Sequence, residues 1–254
     1  MGWLGSLLQK VRDRVAGVAP QPVPPGQLAT VEDVITRLGQ LGSQLGGDGV
    51  GAFNAMYLRV TQEICDKIHE GFFADAAFVE RLDVVFAGLY IDAATAGPDA
   101  RAACWAPVFD VGDNRSCLPI QFAIAGMNAH INHDLPVAVV TTCRQLGHSP
   151  DSPGLQADYN RVMDVLTAIQ QEIRESFLSG VELAVDHQIA PVADLVGTWS
   201  IARAREAAWT TAEVLWRLND AGPVRADFLD TLDRTVGMTS RCLLFPVGMG
   251  PAPI

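Results

Sequence analysis

Apolar residues in this chain recur every three or four positions over most of its length, and that spacing constrains the fold more than any other feature. Residues 52–70, AFNAMYLRVTQEICDKIHE, place Phe53, Met56, Tyr57, Val60, Ile64 and Ile68 along one side of a helix. Thr30 is an N-cap for VEDVITRLGQLGSQL, and Asp75 can cap AAFVERLDVVFAGLYIDAATA, which runs to the GPD break at 97–99. A short helix is expected around ARAACWAPVFD, followed by the loop VGDNRS. GGDGVG at 46–51 and SPDSPG at 149–154 read as turns. A helix over 157–187 with a break at Gly180, and two more over 194–220 and 225–243, complete the pattern. β-Branched residues nowhere alternate with polar ones over a useful length. The expectation is an all-α fold, a single bundle of about seven to nine helices.

The 254 residues suffice for one large domain with a sizeable core. A net charge of −11, with no long Lys/Arg run, opposes binding to a phosphate backbone, so no nucleic-acid partner is expected. No apolar run approaches the roughly 18–20 residues that span a bilayer, so no transmembrane segment is expected. Residues 1–17 read as an amphipathic helix, with Leu4, Leu7, Leu8, Val11 and Val15 on one side. Over 3–16 this helix could dock on its own domain or a partner, or touch a membrane surface through Trp3 and its basic residues. Its charges at Lys10, Arg12, Asp13 and Arg14 do not follow a signal-peptide pattern. Residues 18–29, with four prolines between 20 and 25, read as a stiff linker, and the helical domain as 30–254. Five scattered cysteines without a CxxC pair suggest core thiols of a cytoplasmic protein.

One stretch breaks the apolar pattern. GMNAHINHDLP, residues 126–136, sets two Asn, two His and one Asp between LPIQFAIA and VAVV. Pro119 suits the first turn of a helix. On that helix His130 and His133 are three apart and His130 and Asp134 four apart, so all three project to overlapping sectors. Gln121 and Asn128 lie two turns apart in a neighbouring sector. Pro136 lacks the N–H that would meet the carbonyl of Asn132, so the central helix, 119–135, is expected to kink or stop there.

Three readings of this cluster compete. His130, His133 and Asp134 are donors that zinc, iron or manganese accept, so a divalent metal is one expectation. A His oriented by Asp134 as general base or acid, with Gln121 and Asn128 holding a carbonyl or hydroxyl, is the second. A satisfied structural network that fixes helix registers is the third. The His–Asp doublet is similar to that of HD-type phosphohydrolases, but the nearest upstream histidine, His69, is too far away to complete their pattern. The glycine cluster at 46–51 follows no strand and precedes no GK[ST], so no nucleotide cofactor is indicated. No GxSxG and no HExxH are present.

Other helices must supply partners. Asp83 sits in the apolar run LDVVFAGL, where an unpaired carboxylate is costly, and is a candidate fourth ligand or imidazole-orienting group. Tyr90 shares its face, whereas Asp92 lies well round from both. His187, beside Asp186, is a weaker ligand candidate better read as capping or surface. Trp199, Trp209 and Trp216 form a stripe that reads as core packing more than as a ligand pocket.

LPIQFAIAGMNAHINHDLPVAVV (118–140) and RLDVVFAGLYIDA (81–93) resemble an uncharacterised bacterial family catalogued as a domain of unknown function. ARAREAAWTTAEVLW (202–216) and LDRTVGMTSRCLL (232–244) are similar to its later segments. The resemblance covers the chain from about residue 30 onward and implies Asp83, Tyr90, Asp92, Gln121, Asn128, His130, His133 and Asp134 as its motif positions. It implies no mechanism.

The leading expectation is an enzyme acting on a small hydrophobic molecule. His130, His133 and Asp134 would hold the metal, with Asp83 as further ligand or support and Gln121, Asn128 and Tyr90 orienting the substrate. The alternatives are a metal-free isomerase, cyclase or lyase built on the same residues, and a binding or scaffold protein with a structural network.

Overall fold

The computed structural model describes residues 28–46, 49–112, 117–178, 200–219 and 221–246. The expected N-terminal helix, most of the expected linker, the expected break at Gly180, and His187 and Trp199 lie outside the described residues. Every regular element among the described residues is helical, with no strand among them. The bundle contains α1 (Val31–Leu45), α2 (Val50–His69), α3 (Ala76–Thr95), α4 (Ala106–Asp110), α5 (Pro119–Ala129), α6 (Leu135–Leu146), α7 (Leu155–Leu178), α8 (Ile201–Arg217) and α9 (Gly222–Leu243). A five-residue π-turn, His130–Asp134, joins α5 to α6 without interruption.

Local chemistry sets the helix starts. The Thr30 hydroxyl accepts the Asp33 N–H at 3.3 Å, and the Asp33 carboxylate accepts the Thr30 N–H at 3.2 Å, a reciprocal capping box that opens α1. Asp75 Oδ1 accepts the Phe78 N–H at 2.9 Å and opens α3. Pro119 occupies the first turn of α5, and the Gln121 side chain takes the otherwise orphaned Leu118 N–H at 2.9 Å.

The helix does not end at Pro136, as one of the two expected outcomes had it. It continues to Leu146, and the proline is accommodated within it. Residues 130–134 widen to the π pattern, with the Leu135 N–H donating to the His130 carbonyl. Inserting one residue per turn in this way reorients the side chains just ahead of the proline, and such turns recur at functional sites.

Two apolar clusters flank this turn. One joins α1, α2, α3, α4 and α5 to the end of α9, through residues such as Leu38, Phe53, Tyr90, Trp105 and Phe122. The other joins the ends of α2 and α3 to α6, α7 and α8, around Phe78, Leu135, Tyr159, Trp209 and Leu215. Trp209 packs against Tyr159 with ring centroids 4.8 Å apart, so this part of the tryptophan stripe is core. Ala129 belongs to the first cluster and Ile131 to the second, so the π-turn lies where the two meet.

Candidate functional site

Asp134 is the hub of the turn. Its Oδ2 accepts from His130 Nδ1 at 3.0 Å and from the Trp105 indole N–H at 2.9 Å. Its Oδ1 accepts from His133 Nδ1 at 2.8 Å. An ionised carboxylate only accepts, so both imidazoles present Nδ1–H to it. Burial would lower the His133 pKa, but its hydrogen bond to Asp134 and the charges of Asp134 and Asp233 outweigh it and raise the ring above the usual imidazole range. Burial alone would raise the Asp134 pKa, but the hydrogen bonds from His130 and His133 outweigh it and hold the carboxyl below its usual range. Adjacent residues of an α-helix do not face each other; in the π-turn His133 and Asp134 do.

His130 is fully enclosed in aromatic rings. Phe86 lies flat on it with centroids 3.4 Å apart and planes 6° apart. Tyr57 meets it edge-on at 4.6 Å, with Phe53, Trp105 and Tyr90 at 5.8, 6.0 and 6.1 Å. Burial pushes the His130 pKa below the usual imidazole range against the pull of Asp134, so the ring is held neutral. Gly126, one turn earlier, makes room for the cage: a Cβ there would lie 2.5 Å from the Phe53 ring. The glycine of GMNAHINHDLP is therefore a packing requirement.

Asp83, Phe86 and Tyr90 share one face of α3. Burial raises the Asp83 carboxyl to about 7, and its Oδ2 is enclosed without a hydrogen-bond partner among the described residues. The Tyr57 hydroxyl is likewise buried and, among the described residues, without a hydrogen-bond partner; burial, reinforced by the charges of Asp83 and Asp134 and only partly opposed by Thr61, raises its pKa well above the usual phenol range. His130 Nε2 is the third orphan of this region. An unpartnered buried polar atom costs about 1–3 kcal/mol, so His130 Nε2 and the Tyr57 hydroxyl, whose rings are in contact, are polar atoms held at a cost inside the core, with Asp83 close enough to Tyr57 for its charge to act on it.

The remaining expected site residues divide differently. Gln121 Nε2 donates to the carbonyls of Leu243 and Phe245 at 3.0 and 2.8 Å. Asn128 Nδ2 donates to the Val236 carbonyl and Ser240 Oγ, both at 3.0 Å, while its Oδ1 accepts from Asn132 at 2.9 Å. Both amides thus fasten α5 to α9. The Tyr90 ring forms part of the cage wall, but its hydroxyl donates to Asn54 Oδ1 at 3.2 Å. Asp92 is exposed on α3, outside this site. The imidazole-orienting role considered for Asp83 is filled by Asp134.

Metal-donor geometry also regroups the expected residues. Among the described residues, two groups of donors come within 4.8 Å of one another: Glu32, Cys65 and His69, and Cys104, His133 and Asp233. His133 belongs to the second, while His130 and Asp134 belong to neither. Asp233 Oδ1 lies 3.8 Å from His133 Nε2, and its oxygens accept the Ala103 and Cys104 N–H groups at 2.9 and 2.7 Å. Gly237, one turn further along α9, permits this approach, since a Cβ would lie 2.2 Å from the Ala103 carbonyl oxygen. Sequence reading missed Tyr57, Phe86, Trp105, Cys104 and Asp233 as site residues. Asp233 alone carried a signal, a charge within LDRTVGM, a segment otherwise apolar or neutral but for its arginine.

No helix of the described residues is long and apolar enough to cross a membrane. No curated protein and no solved structure matches the chain. A family model described as "Family of unknown function (DUF5995)" matches residues 31–246, which takes in every element of the site, and the chain belongs to that family.

Proposed function

We propose that this protein is an enzyme that transfers a proton on a small hydrophobic molecule, with His130 as the base and Asp83 as the partner acid. The observation that carries this reading is the His130 ring itself: Nδ1 is tied to Asp134, while Nε2 is buried among aromatic rings with no partner among the described residues. A carboxylate that fixes the tautomer and leaves a neutral Nε2 lone pair free is the arrangement a general base needs. Asp134 also stabilises the imidazolium formed when that lone pair takes a proton. The raised Asp83 carboxyl keeps a substantial protonated fraction near neutral pH and can return a proton to the product. Tyr57, its hydroxyl without a partner among the described residues, would hold a substrate oxygen. The five rings around His130 favour an apolar substrate. Isomerisation, cyclisation and elimination all begin with such a proton abstraction. All five thiols are free, which supports action in the reducing cytoplasm.

The test does not require knowing the net reaction. Small apolar ketones, enones and terpenoid aldehydes are incubated with the protein in D2O, and deuterium incorporation is read by mass spectrometry. Exchange into at least one compound by the wild type, lost in folded His130→Ala, is the expected result. Exchange that survives His130→Ala, or none across the panel, overturns the reading.

A further inference from the structure

The His133 ring points its free nitrogen at a different neighbourhood. Cys104 precedes α4, His133 lies in the π-turn and Asp233 lies on α9, and the three bring one donor atom each to within 4.8 Å of the others. We infer that Cys104 Sγ, His133 Nε2 and the Asp233 carboxylate form a site for a single divalent transition metal, zinc by its donor set. This inference stands on its own geometry and does not depend on His130 acting as a base.

Three observations carry it. His133 Nδ1–H is taken by Asp134 at 2.8 Å, which leaves Nε2, 3.8 Å from Asp233, as the ring nitrogen that a metal can displace a proton from. A carboxylate behind the other ring nitrogen is the usual support of a metal-binding imidazole, orienting the ring and raising its basicity. Thiolate, imidazole and carboxylate together suit zinc better than magnesium or calcium, which take oxygen donors. Finally, Cys104 is fully buried, whereas the His133 and Asp233 side chains keep 15% and 22% of their surface, so solvent reaches one side of the site. Three protein donors with one open side is the arrangement of catalytic rather than structural zinc.

The fit requires only a small adjustment. Tetrahedral zinc holds nitrogen, oxygen and sulfur donors about 3.3–3.8 Å from one another, so donors within 4.8 Å must close by at most about 1.5 Å, and His133 Nε2 and Asp233 Oδ1, at 3.8 Å, by about half an ångström. Asp233 can do this without abandoning the Ala103 and Cys104 N–H groups, because each carboxylate oxygen accepts more than one bond. When bound, such an ion supplies Lewis acidity at the solvent-facing edge of the π-turn.

The experiment uses full-length protein purified without an affinity tag or chelator. Zinc content is measured by elemental mass spectrometry, and the metal-free protein is titrated with Co2+ while thiolate charge-transfer and d–d absorption are recorded. The expected result is one equivalent of bound metal with a thiolate band of tetrahedral intensity. The band should vanish in Cys104→Ser, and Zn2+ affinity should fall at least tenfold in Asp233→Asn. His69→Ala should bind as the wild type does, excluding the Glu32–Cys65–His69 group. Folded wild type that takes up neither ion, or gives no thiolate band, overturns the inference and leaves His133 as an ion-pair partner of the two carboxylates. Loss of binding in His69→Ala overturns it as well. Because the wild-type spectrum reports on the thiolate directly, the test survives a variant that fails to fold. Failure of the proton-transfer reading would appear instead as absent deuterium exchange with metal still bound.

Discussion

Asp134 and His133 are neighbours in the chain, yet their side chains are joined by a 2.8 Å hydrogen bond while the other oxygen of the same carboxylate holds His130. One buried carboxylate thereby fixes two imidazoles and sends their free nitrogens to separate places, one into an aromatic cage and one toward Cys104 and Asp233. Replacing Asp134 by Asn leaves three donors with at most one good acceptor. The expected loss, about 3 kcal/mol, is that of breaking a buried charged network from one side. Urea unfolding of the wild type and Asp134→Asn checks it, and a loss below about 1 kcal/mol would show that the network is weakly coupled to folding.

Asp83 predicts a pH dependence of known sign. Its folded-state pKa, about 7, lies above the unfolded value, so the folded protein binds more protons between about pH 4 and 7. Stability contributed by protonated Asp83 is therefore present at low pH and is lost as pH rises toward 7. At about 1.4 kcal/mol per unit the whole shift would amount to about 4 kcal/mol, and water reaching this half-buried side chain reduces that to roughly 2 kcal/mol. Asp83→Asn should remove the decline. Denaturation of both proteins at pH 4.5 and 8 reads the difference, and parallel pH profiles would refute the assignment.

Phe86 covers one face of His130 and is itself only half-buried. Phe86→Ala should expose Nε2, so diethyl pyrocarbonate should modify His130 many times faster than in the wild type, read by peptide mass spectrometry. An unchanged rate would mean that the ring is shielded from elsewhere.

Gln121 and Asn128 direct their amides to α9. Asn128→Ala removes two buried hydrogen bonds to α9, although Ser240 Oγ keeps its bond to the Ala125 carbonyl, and should cost about 1–3 kcal/mol while leaving deuterium exchange per folded molecule intact. Exchange lost with stability unchanged would restore a substrate-orienting role.

Gly126 separates packing from chemistry. Gly126→Ala sets a Cβ against the Phe53 ring, and overpacking of that kind costs about 1–3 kcal/mol. Thermal unfolding should register it, and a neutral substitution would show that Phe53 has room to move.

Helix identity and most helix starts were written in local sequence, because periodicity, Thr30, Asp75 and Pro119 act within one or two turns of where they stand. The same locality made GMNAHINHDLP legible as an anomaly: polar groups in an apolar run demand partners wherever the helix is buried. The identity of those partners was not legible. Trp105 and Asp233 reach the turn from 29 and 100 residues away in the chain, and only the packing of α4 and α9 onto α5 and the π-turn brings them there. Gln121 and Asn128 read as site residues because an amide in an apolar run looks the same whether it meets a ligand or a helix carbonyl. The largest departure was the π-turn. An i+3, i+4 projection assumes 3.6 residues per turn, and Pro136 changes that locally, so the facing of His130, His133 and Asp134 was decided by the backbone's accommodation of a proline inside a packed core.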